Sequence, residues 1–170
     1  MLIYHPAFDL YNCIFRVLQL LIHLKDEQIE IDRLRIWDFY LTFPGEIRKM
    51  QFPRELHELK KIFKEKDPNP YEDLIDPKKI IERMKPYQLT AVKAIASYGF
   101  IDGQELSKGL VKKTGMEAIP TELRQILLTD LTIERLNVLR LVTGFRDLPL
   151  FGKSGLKYRT GLIEFKYDSR

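Results

Sequence analysis

Cysteine is almost absent from this chain: Cys13 stands alone among 170 residues. One thiol cannot form an intrachain disulfide and cannot supply a Cys-based zinc site. Set in an apolar stretch, it reads as a small buried hydrophobe. Histidine is nearly as scarce, with His5, His23 and His57 so far apart that a metal site built from them would need three distant segments to converge. A long apolar run is also missing. Residues 14–24 are interrupted by Arg16, Gln19 and His23, too short and too broken for a bilayer span. The opening residues have no basic stretch, and His5-Pro6 and Asp9 interrupt any apolar core of a secretion signal. These absences point to a cytoplasmic protein with no membrane contact.

Catalytic templates fail on their particulars. Gly152-Lys153-Ser154-Gly155 shares a Lys-Ser pair with phosphate-binding loops but lacks their glycine spacing and a following helix. Glu72-Asp73 and Asp76 crowd the start of an expected helix, where carboxylates complement the helix dipole. Asp26, Glu27 and Glu30 fall in a polar link. Serines and threonines lie mainly at caps and turns, with no general base beside them. The expectation is a protein that is not an enzyme and carries no cofactor.

What the chain does have is core-forming material. Hydrophobic residues make up 45%, aromatic residues 11% and charged residues 31%. That excludes a disordered chain and predicts a surface dense in both signs. The net charge of +4 is concentrated at one end. Beyond residue 139, seven Lys and Arg face three Asp and Glu, and the preceding residues balance. A basic end favours an acidic partner, either nucleic acid or an acidic protein face.

Periodicity predicts a mainly helical fold. Residues 7–24 place Phe8, Tyr11, Ile14, Phe15, Leu18, Leu21 and Ile22 at helical spacing, behind Pro6. Residues 31–41 carry Ile31, Leu34, Ile36, Trp37, Phe39, Tyr40 and Leu41, apolar on nearly all sides, up to the break at Pro44. A stripe that wide is hidden either in this chain or against a partner, and Ile31, Leu34, Trp37 and Tyr40 are its candidate partner interface. Residues 54–66 read as a short helix, and Asp67-Pro68-Asn69-Pro70 as a boundary between units 1–66 and 71–170. Further helices are expected over 75–84, 86–98, 104–113, 121–128 and from Thr132. Residues 156–167 alternate as strands do, around Gly161. The order after residue 86 therefore predicts a winged-helix-like unit ending in a small β-hairpin. Lys153, Lys157 and Arg159 fall on that wing, as candidate contacts for DNA phosphates or an acidic partner.

The N-terminal third also carries a resemblance. Ile3-Tyr4-His5-Pro6-Ala7-Phe8-Asp9, continuing through Cys13-Ile14-Phe15-Arg16-Val17-Leu18, resembles the opening of middle components of ABC-three-component systems. So does Asp32-Arg33-Leu34-Arg35-Ile36-Trp37-Asp38-Phe39-Tyr40-Leu41-Thr42-Phe43-Pro44. Such proteins are encoded beside an SMC-like ATPase and a third, effector-bearing component, and Lamassu-type anti-phage systems are similar in organisation. The resemblance implies a non-enzymatic bridging subunit that docks on the ATPase and helps hold or release an effector nuclease. It implies winged-helix-like units too. No functional residue carries over singly, because the family has no catalytic motif to match. The alternative from another class is a free-standing winged-helix DNA-binding regulator. Its recognition helix would use Arg124 and Gln125, or Arg135, Asn137 and Arg140.

Overall fold

The computed structural model describes residues 4–64, 74 and 76–164. A single 3-10 turn at Pro6–Phe8 leads into α1 (Leu10–His23), capped by Asp9, whose carboxylate accepts from the Asn12 N–H at 2.8 Å. β1 (Gln28–Glu30) runs directly into α2 (Ile31–Thr42), which stops before Pro44. After 3-10 turns at Pro44–Lys49 and Arg54–Leu56 comes α3 (His57–Lys64). The longest helix, α4 (Pro77–Ser97), is capped by Asp76 and begins on proline. Then follow α5 (Gly103–Ser107), β2 (Leu110–Lys112), α6 (Thr121–Thr129), α7 (Ile133–Gly144) and α8 (Leu156–Thr160).

α2 forms the axis of the molecule. α1, α4 and α7 pack around it, and one hydrophobic cluster runs from Ala7 to Ile163. Trp37 sits at its centre, edge-on to Phe145 with ring centroids 5.7 Å apart. Among the described residues the sheet has two strands, joining distant parts of the sequence: β1 pairs antiparallel with β2, Ile29 opposite Val111. Gly109, at φ +82°, makes the turn from α5 into β2, a conformation that disfavours any residue with a Cβ.

Several sequence expectations are corrected here. The helices expected over 75–84 and 86–98 are one helix, with Pro86 inside it. An internal proline costs roughly 3 kcal/mol in a helix. Ile81, Met84, Gln88, Ala91, Val92 and Ile95 nevertheless form one continuous buried stripe across it, and burying that stripe on α1 and α2 holds the helix together. The helix expected over 104–113 ends at Ser107, and Leu110-Val111 belongs to a strand. The C-terminal hairpin is overturned where the structure describes it. Residues Leu156–Thr160 are helical, closed by Gly161 at φ +64°. Its last part, residues 165–167, lies outside the described residues, as does the Asp67-Pro68-Asn69-Pro70 boundary. The small sheet of this mainly helical protein is therefore β1–β2.

Candidate interaction surface

The residues expected to meet a partner through α2 are occupied within the chain. Leu34 and Trp37 are fully buried and Tyr40 is 2% exposed; Ile31 alone is partly exposed. α2 offers no partner an apolar stripe, because α1, α4 and α7 already cover it. This corrects the expectation built on its width.

Its polar residues are internal as well. Asp38, fully buried, accepts from Arg16 Nε at 2.6 Å and from Gln88 Nε2 at 2.8 Å. Arg16 and Gln19 occupy the buried face of α1, while Tyr11, expected on that face, is 82% exposed. Gln19 Nε2 donates to the carbonyls of Leu127 and Asp130, fastening α1 to the end of α6. The Arg16–Asp38 pair is fully desolvated, so losing either partner strands a buried charge. Burial raises the Cys13 thiol far above its ordinary range, so Cys13 has no thiolate for chemistry.

The basic trio does not converge on one face. Lys157 is 3% exposed, its Nζ 2.9 Å from Asp32 Oδ2 and 4.8 Å from the centroid of the Phe151 ring. Burial opposes ionisation of Asp32, but the Lys157 hydrogen bond and charge outweigh it and lower its pKa. Arg159 donates from Nε to the Ser154 carbonyl at 2.7 Å and from Nη1 to the Gln51 carbonyl at 3.2 Å. Lys153 is exposed on the intervening loop. Two of the three cations thus fasten the C-terminal segment onto α2 and the 44–51 segment. The expected phosphate-binding wing is replaced by a clasp.

The histidines are similarly placed. His5 Nδ1 accepts from the Ala7 N–H and its ring stacks on Phe43, His23 Nδ1 lies 2.8 Å from the Gln19 carbonyl, and His57 is exposed at the start of α3. Among the described residues no group of three or more His, Cys, Asp or Glu could hold a metal ion. No described helix is long and apolar enough to cross a membrane.

Two features lie open to solvent. α7 shows Ile133, at 68% exposure, and Leu136 outward, in line with Arg140. The second feature is a polar cavity of about 280 Å3 between β1 and the C-terminal end of α7. Asp26, Gln28, Glu30, Arg33, Arg146 and Asp147 line it. Arg33 is anchored at its base, donating to Glu30 Oε2 at 2.8 Å and to the Leu148 carbonyl at 2.6 Å. Across its mouth Arg146 meets Asp26 at 2.6 Å. Sequence reasoning treated Asp26, Glu27 and Glu30 as a solvated link. Gln28-Ile29-Glu30 alternates polar–apolar–polar, but three residues fall short of the run that marks a half-buried strand, so the sequence carried no usable signal for it.

A model of the family ABC-three component (ABC-3C) system Middle Component 5 matches residues 2–168. No curated protein and no solved structure matches the chain. The match takes in the opening motif, the α2 axis and the C-terminal clasp alike, so it describes the whole packed unit. This chain belongs to the Middle Component 5 family of ABC-3C systems.

Proposed function

We propose that this chain is a non-enzymatic bridging subunit of an anti-phage defence assembly, docking on an SMC-like ATPase and helping to hold or release an effector nuclease. The observation that carries this reading is the family match over residues 2–168, which makes the chain an accessory component of a multi-protein system. Its organisation is taken to be similar to that of Lamassu-type systems. The architecture supports a docking role through rigidity. α2 is tied to α1 by the Arg16–Asp38 ion pair, to α4 by the Arg35–Gln88 hydrogen bond and to α8 by the Lys157–Asp32 ion pair, so its neighbours are held in fixed relation to one another. A rigid subunit loses little conformational entropy when it binds. Contact with the partner falls on faces other than the packed side of α2.

The test is co-expression of the tagged chain with the proteins encoded beside it. Copurification of an SMC-like ATPase in fixed stoichiometry is the expected result. A chain that elutes alone, binds no neighbouring product and selects one DNA operator would be a free-standing regulator, and the bridging role would be wrong.

A further inference from the structure

We propose that the outer edge of β1 and the cavity beside it receive an extended segment of a partner protein carrying a lysine or arginine side chain. This deepens the docking role described above and rests on it.

The argument begins with the register. The Ile31 N–H donates to the Gly109 carbonyl at 3.0 Å and the Lys113 N–H to the Glu27 carbonyl at 2.8 Å. In an antiparallel ladder such bonded pairs alternate with non-bonded ones, so Glu27, Ile29 and Ile31 turn their main-chain groups towards β2. Gln28 and Glu30 turn theirs away. The far edge of β2 is already covered, with Asp102 N–H bonded to the Lys112 carbonyl and Thr114 N–H to the Phe100 carbonyl. The outer edge of β1 has no strand against it among the described residues. Glu30 is the N-cap of α2, so the exposed Gln28 is the outward rung within the strand itself. An unpaired rung is a template for a further strand.

The cavity adjoins β1, since Gln28, Ile29 and Glu30 are among its walls. Its volume of about 280 Å3 accommodates a side chain projecting from an added strand. Charge selects which side chain. The lining holds three carboxylates, Asp26, Glu30 and Asp147, and two guanidiniums, Arg33 and Arg146. Arg33 is committed, between Glu30 and the carbonyls of Phe145 and Leu148. Arg146 is 53% exposed and touches only Asp26 among the carboxylates. Exposed pairs of that kind are worth little, so an incoming cation displaces it cheaply. Asp147 has no ion-pair partner among the described residues. α7 ends at Gly144, just before Arg146, and the negative end of its dipole adds to the preference for a cation. An acidic side chain would meet three carboxylates here and could compete only for Arg146, since Arg33 is committed.

The experiment uses the full-length isotopically labelled chain and two blocked peptides, Val-Lys-Val-Lys-Val and Val-Glu-Val-Glu-Val, at millimolar concentration. The lysine peptide is expected to shift the amide resonances of Asp26, Gln28 and Glu30, and the glutamate peptide to leave them unmoved. The double variant Asp26→Asn, Asp147→Asn should weaken binding by about tenfold or more, as expected for losing charge-assisted contacts. Gln28→Pro should abolish it, because proline removes the free N–H without disturbing the β2 ladder. Equal shifts from both peptides, shifts elsewhere only, or no shifts at all would overturn the proposal. Neither peptide measurement requires the assembly. Peptide binding without copurification therefore keeps this edge and rejects the bridging role, and copurification without peptide binding does the reverse.

Discussion

α2 and α7 are both twelve residues long and lie against each other, yet they treat their side chains in opposite ways. α2 buries nine residues, including Arg33, Arg35 and Asp38. α7 buries four and turns Ile133 and Leu136 outward. Neither helix obeys the rule that charge faces water and hydrocarbon faces inward. What decides exposure is the set of neighbours. α2 is enclosed by three helices and clasped by Lys157, so its charges must find partners inside. α7 packs only one side. Its outward hydrocarbon is unremarkable in a monomer and useful in an assembly.

The comparison breaks most visibly at Trp37 and Asp38. Trp37→Ala should cost about 3–5 kcal/mol, as for other large-to-small changes in a packed core, measured by urea denaturation. Asp38→Ala should cost a similar 3–5 kcal/mol or so, because it leaves Arg16 charged and buried. Replacing the pair together, as Arg16→Met with Asp38→Leu, should cost less than Asp38→Ala alone. A double variant less stable than both single ones would mean that the pair stabilises the core outright.

A smaller effect is expected at the clasp. Lys157→Met should lower stability by about 1–3 kcal/mol, the range for a lost hydrogen bond to a charged group. Lys153→Ala, on the exposed loop, should change it by no more than about 0.5 kcal/mol. The clasp also predicts a pH signature. The folded-state pKa of Asp32 is held below its ordinary 3.8, so the pair's contribution is complete above that value. It disappears as pH falls through the lower folded value, because protonation then favours the unfolded chain. The Lys157→Met chain should therefore lose less stability between neutral pH and pH below 3.8. Equal acid sensitivity in both chains would contradict the pairing. The smallest effect belongs to α7. Ile133→Gln should leave stability within about 0.5 kcal/mol of the parent, since the side chain is mostly in water already.

How far the sequence could be read follows the length of each signal. α2 was legible within one residue and α1 within three, because each offers several turns of periodic apolar positions with a cap or proline at an end. α4 was split at Pro86 because local propensity cannot weigh a proline against a stripe buried on two other helices. β1 and β2 were missed for a different reason. Each is three residues long, too short for a period, and each exists only because the other lies opposite from a distant part of the chain. The alternation beyond residue 156 suggested strands, and tertiary packing overrode it, leaving Leu156 and Lys157 buried on a short helix. The site suffered most. Whether Trp37 faces a partner or Lys157 faces solvent depends on which helices enclose them, and no window along the sequence contains that. The cavity was illegible as well, since its walls come from the chain around β1 and from the end of α7.

The central claim is that α2 is the fixed interior of a docking subunit and that partners meet the chain elsewhere. Hydrogen–deuterium exchange of the chain, alone and in the copurified assembly, tests it most directly. Amides of Ile31–Thr42 should exchange slowly and equally in both states, while the exposed Gln28 amide should gain protection in the assembly. Rapid exchange across α2 in the free chain that becomes slow on assembly would contradict the account, because it would return Leu34, Trp37 and Tyr40 to the interface.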